Sequence, residues 1–224
     1  MTDIETVATF CQEHLNLGSI VRLGDEYAYP HLPLCFLDAV WSIGVRYQGV
    51  QGVVKRYEKW AGLGQPSSVH TTAEFLEKLS SYSAEQASVT IFANRQRTST
   101  RGGILKAEAV VRFARVLDEL GIQTFEDLVQ QDDKLPLVET KIRQIPGQAS
   151  GLSWRYFLML AGASHLTKPD RQVLRFLKTA TGKNFSTESA QALLVAVCEQ
   201  LCSQCPLISP RELDHLIWQY QRTR

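Results

Sequence analysis

Apolar residues return every three or four positions along most of the chain, the spacing that places them on one face of an α-helix. The clearest stretches are residues 34–60 and 105–121, and the second ends at a glycine suited to a helix C-terminus. Residues 153–161 are apolar enough for a buried helix, and Thr71 with Glu74 forms a capping box that opens another. No stretch of useful length alternates with the period of a strand. The pattern therefore predicts an all-α protein of about ten helices.

Helix-start and helix-stop residues define two further helices in the C-terminal third. Pro169 opens the segment DRQVLRFLKTATG, which Gly182 closes. Ser209 and Glu212 form a capping box, with a proline at the first helical position, ahead of ELDHLIWQYQR. These signals place a carboxylate, Asp170, in the first turn of the earlier helix.

Composition narrows the class of protein. The 224 residues are 44% hydrophobic and 21% charged, which is ordinary for a globular protein, and no apolar run has the length of a membrane helix. The N-terminal segment MTDIETVATFCQEH has early acids and lacks the basic and apolar regions of a signal peptide. We therefore expect a cytoplasmic protein without membrane contact, and by default a monomer.

Five cysteines lie at positions 11, 35, 198, 202 and 205, and without a secretory signal this odd number indicates reduced thiols. The spacing C-x3-C-x2-C of Cys198, Cys202 and Cys205 would suit a metal or iron–sulfur site only with a fourth ligand, for which His215 is the candidate. The favoured alternative is that Cys198 and Cys202 line one face of an apolar helix. We predict no metal and no cofactor, and the role of these three cysteines stays open.

Positive charge is segregated along the chain although the formal net charge is only +1. Residues 91–115 contain six Lys or Arg and one acid, and residues 141–183 contain eight and one. Between them, residues 118–139 contain seven acids and one Lys. Such a chain can present a basic face while staying almost neutral overall, so the distribution favours a nucleic-acid partner. The alternative is that these blocks are ordinary solvated helix faces.

Two segments within the second basic block can bind or polarise a ligand. In Ile145–Gly151 two glycines flank a short polar turn ahead of a helix N-terminus, so backbone N–H groups can approach one phosphate without reading sequence. Asp170, near another helix N-terminus, can stabilise a cationic sugar or orient a water molecule. A plain turn and a helix-stabilising aspartate are the alternatives, and the residues alone do not separate them.

The order of these segments resembles the helix-hairpin-helix DNA glycosylase superfamily (HhH-GPD), which includes endonuclease III and the adenine glycosylases. The chain has Ile145-Pro146-Gly147, a turn closed by Gly151, an apolar helix, and then the run KPDRQVLR. Further upstream, LPLCFLDAVWSIGVRYQGV is similar to the family's early barrel helix and base-facing loop, and GGILKAEAVVRFARVL to its G-x-x-x-KA helix. The resemblance covers roughly residues 30–180.

The resemblance implies a fold, a reaction and a set of site residues. Residues 31–164 would form a central helical bundle with the helix-hairpin-helix, and residues 1–30 with 165–224 a second helical lobe, with a DNA groove between them. Asp170 would be the catalytic carboxylate of a nucleoid-associated DNA glycosylase acting on a damaged or mismatched base in duplex DNA. The DNA backbone would be bound by Gly147, Gln148, Ser150, Gly151, Ser153, Lys168 and Arg171.

Two departures from the family pattern bear on the mechanism. The hairpin carries one extra residue, and where members with strand-cleaving activity have a Schiff-base lysine this chain has Leu152 or Ser153. We therefore expect a monofunctional glycosylase of base excision repair. The iron–sulfur loop of some members is also missing. Residues expected to meet the base or to enter the duplex lie in two polar clusters: Arg46, Tyr47 and Gln48, and Asn94, Arg95 and Gln96. The second cluster could bind either a base edge or a phosphate.

Three alternatives remain open at this stage. The chain could be a non-catalytic helix-hairpin-helix protein that binds DNA and uses Asp170 only at a helix start. It could be a helical interaction protein without DNA affinity. It could also be a lyase that uses another amine, such as Lys168. The sequence does not name the excised base.

Overall fold

The protein is all-helical over the residues that its computed structural model describes, 2–19, 29–45, 47–63 and 69–222. Within those ranges there is no strand, and the β-type pairing is an isolated bridge between Arg97 and Leu105. No helix there is both long and apolar enough to cross a membrane. The all-α prediction is confirmed.

Across the described ranges the structure has twelve α-helices, where the pattern predicted about ten for the chain. In chain order they are α1 (Asp3–His14), α2 (Leu32–Trp41), α3 (Tyr47–Ala61), α4 (Thr72–Leu79), α5 (Ala84–Thr90), α6 (Lys106–Glu119), α7 (Phe125–Gln130), α8 (Leu135–Arg143), α9 (Leu152–Leu160), α10 (Arg171–Thr181), α11 (Thr187–Leu201) and α12 (Pro210–Arg222). Short 3₁₀ turns lie at Leu17–Ser19 and Asp132–Lys134.

The apolar stretch 34–60 is divided between two helices. α2 ends at Trp41 and α3 begins at Tyr47, with Gly44 between them at a φ of +73°. That left-handed conformation is open to glycine and strained for most other residues, so the chain leaves the helix here. Because apolar residues keep the three-to-four spacing on both sides of Gly44, the sequence pattern does not show this break between the helices.

The chain forms two compact units, one from residues Tyr29–Ala161 and one from Met1–Ala28 together with Gly162–Arg224. We call them the central unit and the terminal unit. The boundaries expected from the resemblance, at 31 and 164, differ from these by two and three residues. The DNA groove expected from the sequence stays a prediction.

The central unit is built around α2, in which every residue is buried. α2 packs against α3, α4, α6 and α9, and its Phe36 meets the rings of Phe75 and Phe113 at centroid distances of 4.9 and 5.9 Å. A helix whose residues are apolar on every side, apart from Asp38, needs neighbours all round, which explains its central place. The polar segments of the central unit therefore lie in the loops that join these helices.

The terminal unit consists of α1, α10, α11 and α12. α1 packs against α10 and α11, and α12 packs against α10 and α11, around a core that includes Cys11, Phe176, Leu194 and Ile217. Cys198 belongs to the same core, but Cys202 follows the end of α11 and is exposed. Cys202 is the C-cap of α11, and its N–H donates to the carbonyl of Cys198 one turn earlier, so the two residues follow one side of the helix but only Cys198 is buried.

Candidate functional site

The glycine-rich segment of the central unit is a tight turn between two helices. α8 ends at Arg143 and α9 begins at Leu152, as the sequence indicated to within one residue. We call residues 144–151 the hairpin turn. Its chain reverses through hydrogen bonds from the N–H of Gln148 to the carbonyl of Ile145 (2.9 Å) and from the N–H of Gly151 to the carbonyl of Gln148 (3.0 Å).

Both glycines of the hairpin turn are required by its backbone. Gly147 has a φ of +87° and Gly151, the N-cap of α9, a φ of +72°. Arg143 holds the middle of the turn through a 3.0 Å hydrogen bond from Nε to the carbonyl of Ala149. The result is a fixed turn that leads into the first N–H groups of α9, which have no carbonyl partner inside the helix.

The side chains of the hairpin turn differ from the expectation in two places. Gln148 is only 2% exposed and Ser153 only 1%, so neither side chain extends to a ligand at the surface. Within the part of the chain that is described, Gln148 Oε1 and Ser153 Oγ lack hydrogen-bond partners. Ser150 is exposed, and its Oγ accepts a 3.4 Å hydrogen bond from the N–H of Leu152. The groups that this turn offers to an anion are therefore backbone amides and the Ser150 hydroxyl.

In the terminal unit, Asp170 is the N-cap of α10. Its Oδ1 accepts hydrogen bonds from the N–H groups of Gln172 (2.7 Å) and Val173 (3.4 Å), and the side chain is half-buried. The cap engages one of the two carboxylate oxygens. The helix begins at Arg171, so Pro169 precedes the cap instead of occupying the first turn as expected. The two amides at the start of α10 hold this carboxylate in place.

The segment that leads to Asp170 is tied to α11. Thr167, which is fully buried, donates from its backbone N–H and from its hydroxyl to Oε1 of Gln191, at 2.8 and 2.7 Å. The amide nitrogen of the same Gln191 donates to the carbonyl of His165 at 3.1 Å. One glutamine side chain therefore fixes three polar groups of a segment that has no secondary structure of its own.

The same segment is also tied to α12, through a residue that the sequence analysis missed. Oδ1 of Asp214 accepts a hydrogen bond from the backbone N–H of Lys168 at 2.9 Å, and the carbonyl of Lys168 accepts one from the N–H of Asp170 at 2.6 Å. Asp214 borders the apolar face of α12, next to the buried Leu213. The sequence does contain a signal, an acidic residue beside a core position of a helix. It could not indicate which residues cover that acid.

The pKa of Asp214 is raised to about 7. Burial is the main cause, and the negative charge of Asp170 contributes in the same direction. The Lys168 N–H and the Lys168 ammonium act in the opposite direction. The pKa of Asp214 therefore lies well above that of an ordinary aspartate. The terminal unit thus holds two electrostatically coupled carboxylates, of which Asp170 is the one expected from the sequence.

The remaining predicted site residues are divided between the units. Lys168 is half-buried and Arg171 is exposed at the start of α10. In the central unit Gln48 is exposed on α3. Arg46 and the side chain of Tyr47 lie outside the described residues, so the expectation for them stays a prediction.

The second polar cluster lies in the loop after α5. The side-chain carbonyl of Asn94 accepts a 2.9 Å hydrogen bond from the N–H of Gln96, which fixes the local turn. Arg95 and Gln96 are exposed. A few residues further on, Thr98 contacts Gly147, so the structure brings this loop next to the hairpin turn.

Comparison with known proteins identifies one family. The family model described as Domain of unknown function (DUF8548) matches residues 5–222. Neither the curated proteins nor the solved structures gave a significant match. The resemblance to the helix-hairpin-helix glycosylases stays a prediction from the motifs. Because the matching model spans almost all of the chain, the protein belongs to the family Domain of unknown function (DUF8548).

Proposed function

We propose that this protein is a DNA glycosylase that hydrolyses the N-glycosidic bond of a damaged or mispaired base and leaves the DNA strand intact. The observation that carries the proposal is the setting of Asp170. Its carboxylate caps α10 through one oxygen, is half-buried, and follows a segment fixed by Gln191 and Asp214. A carboxylate held in this way is a preorganised negative charge.

The reaction uses that charge in one step. As the glycosidic bond breaks, the base leaves with its electron pair, and the sugar develops positive charge that Asp170 stabilises. Water adds its hydroxyl to the sugar carbon, and the remaining proton goes to the departing base. The product is an abasic site in an uncut strand.

DNA binding is assigned to backbone amides and to cations. The exposed backbone of Gly147, Ala149 and Ser150, together with the Ser150 hydroxyl, would bind a phosphate of the DNA backbone ahead of α9. Arg171, exposed at the start of α10, and Lys168 would bind backbone phosphates near the lesion. These contacts position the duplex and carry no base specificity, in keeping with a repair enzyme that meets its lesion in any sequence.

Strand cleavage is not part of the proposal, for a chemical reason. Schiff-base chemistry requires an amine, and the positions that correspond to the family lysine are Leu152 and Ser153 at the start of α9. Ser153 is also buried. A lyase that uses a different amine, such as Lys168, is the enzymatic alternative.

A second candidate function is non-catalytic DNA binding. The two hydrogen bonds from Gln172 and Val173 account for an aspartate at position 170 without any chemistry. This alternative predicts salt-sensitive duplex binding and no base release.

The Asp170→Asn variant separates these functions, since asparagine caps a helix about as well as aspartate. We expect wild type to release a base from at least one duplex in a panel of oxidised, alkylated, deaminated and mismatched substrates, detected as strand scission after alkali. Asp170→Asn should keep its melting temperature and duplex affinity and lose product by at least about 100-fold, the loss typical of a removed catalytic group. Full activity in Asp170→Asn would overturn the mechanism.

Two controls complete the experiment. An untreated lane and borohydride trapping on abasic DNA reveal any lyase, and Lys168→Met tests the amine. Product from no substrate, with binding intact, would favour the non-catalytic alternative.

A further inference from the structure

The central unit carries a loop rich in arginine directly ahead of α6. We call residues 95–104 the arginine loop. Its two sides are joined by hydrogen bonds from the N–H of Thr98 to the carbonyl of Ile104 (2.9 Å) and from the N–H of Ile104 to Oγ1 of Thr98 (3.2 Å). A Cβ at Gly103 would lie 2.4 Å from the nitrogen of Ser99, so the two sides are packed as closely as glycine allows. The loop therefore has a fixed shape.

Three arginines of this loop, Arg95, Arg97 and Arg101, are exposed. Arg97 is held by a 2.9 Å hydrogen bond from Nε to the carbonyl of Gly103, and the residue stays exposed. The loop contains no acid, and Glu108, the nearest one along the chain, pairs with Arg112 at 2.6 Å. Across the described ranges, no acidic side chain forms an ion pair with any of the three. Their positive charge is uncompensated.

The arginine loop lies directly against the hairpin turn. A Cβ at Gly147 would lie 2.4 Å from Cβ of Thr98 and 2.6 Å from its Oγ1, so the two backbones approach as closely as the missing side chain permits. Gly147 is exposed, and so are the three arginines of the loop that contains Thr98. The exposed Gly147, Ala149 and Ser150 of the hairpin turn therefore lie, through the Thr98 contact, next to a loop that exposes three guanidinium groups.

We propose that the arginine loop and the hairpin turn together form one binding surface for the phosphate backbone of duplex DNA. The hairpin turn binds one phosphate through backbone N–H groups, and Arg95, Arg97 and Arg101 bind further phosphates alongside it. Guanidinium groups match phosphate oxygens in pairs, and a polyanion occupies several of them at once. Carboxylates of an acidic polypeptide can bind the same backbone amides and guanidinium groups, so polyglutamate is the competing ligand in the test.

This inference rests on the proposed function for its ligand, but it requires binding alone and no base release. Of the two ligands that the sequence left open for Arg95, a base edge and a phosphate, it assigns the phosphate. Phosphate contacts release counterions, so each one adds about 0.9 to the slope of log Kd against log salt. The number of contacts can therefore be measured directly.

The test is fluorescence anisotropy with an undamaged labelled duplex at several salt concentrations. For the double variant Arg95→Ala/Arg101→Ala we expect a slope lower by about 2 and, at low salt, an affinity at least about tenfold weaker. Arg95→Lys/Arg101→Lys keeps the charge and should keep the slope. Lys55→Ala/Lys59→Ala removes two exposed charges from α3 of the same unit and is the matched control, expected to behave as wild type.

Each other outcome has a defined meaning. A wild-type slope and affinity in the arginine-to-alanine variant would overturn the inference, as would wild-type protein that prefers polyglutamate to the duplex. A reduced slope together with no base release from any substrate would uphold this surface and reject the glycosylase. Base release together with an unchanged slope would uphold the glycosylase and reject this surface.

Discussion

The carboxylate of Asp214 accepts a hydrogen bond from the backbone N–H of Lys168, with 2.9 Å between Oδ1 and the nitrogen. The carbonyl of that same Lys168 residue accepts the N–H of Asp170. A side chain on α12 therefore fixes the peptide from which the proposed catalytic carboxylate extends.

Replacing Asp214 with asparagine keeps an oxygen acceptor for the Lys168 N–H, whereas leucine removes it and leaves a buried donor unpaired. We expect Asp214→Leu to lower the free energy of unfolding by about 1–3 kcal/mol relative to Asp214→Asn, measured by urea denaturation. Base release should fall in the leucine variant and persist in the asparagine variant. Equal stability of the two variants would contradict the role assigned to this hydrogen bond.

The raised pKa of Asp214 also predicts how its contribution changes with pH. Its pKa rises from an ordinary 3.8 to about 7 on folding, chiefly through burial, so between these values the folded protein binds more protons than the unfolded chain. Stability from this group therefore falls as pH rises from about 4 to 7 and is constant above. As the pH rises through that window, Asp214→Asn should gain stability relative to wild type, measured as the difference in melting temperature. A difference independent of pH would contradict it.

A buried network in the central unit predicts a dependence of the opposite sign. His70 is 3% exposed, its Nε2 lies 2.6 Å from the hydroxyl of Tyr57, and its Nδ1 lies 3.4 Å from Glu74. Burial lowers the pKa of His70 below 6.5, although Glu74 partly opposes it. As the pH falls, the unfolded chain therefore takes up a proton at His70 before the folded protein does. The stability that this group contributes above pH 6.5 is then lost.

His70→Gln should consequently lose less melting temperature between pH 7 and pH 5 than wild type. His165→Gln, at an exposed position, is the control and should follow wild type. The same pH dependence in wild type and His70→Gln would show that this ring is not the titrating group.

Gly147 is constrained twice, by its φ of +87° and by Thr98 at its Cβ position. Gly62, in the same unit, has a φ of +74° with nothing within 4 Å, so Gly62→Ala measures the backbone strain alone, roughly 1–2 kcal/mol. Gly147→Ala should cost a further 1–3 kcal/mol, roughly, for the overlap. Thr98→Gly should restore part of that excess, and denaturation of the double variant tests the coupling. Equal losses in Gly147→Ala and Gly62→Ala would contradict the close contact.

Lys106 is 2% exposed, and its ammonium donates to the carbonyls of Trp41 and Ile43, both at 2.8 Å. It thus satisfies carbonyls at the C-terminal end of α2 and in the turn that follows. Lys106→Met should lower the free energy of unfolding by about 3 kcal/mol, since bonds to charged groups are strong and buried carbonyls lose their donor. Lys141→Met removes an exposed ion pair with Glu119 and should cost less than about 1 kcal/mol. Similar losses would show that the Lys106 bonds contribute little.

Much of the fold could be predicted from the sequence, because helix signals act over a few residues. The Thr71–Glu74 capping box forms as expected, Gly182 ends α10 in the left-handed conformation, and α8 and α9 flank the glycine-rich turn. Asp170 lies at a helix N-terminus as its neighbours indicated. Each of these outcomes depends on hydrogen bonds between residues close in the chain.

The tertiary structure decided what those elements bury and what they leave exposed. Nothing in the sequence near Gln148 or Ser153 indicates that both side chains are enclosed. Asp214 meets Lys168, and Thr98 meets Gly147, only because helices distant in the chain pack together. The sequence by itself determined the helices, the basic segments and the position of Asp170. Packing between distant segments determined the partners of these groups, since burial and pairing depend on neighbours that local spacing does not specify.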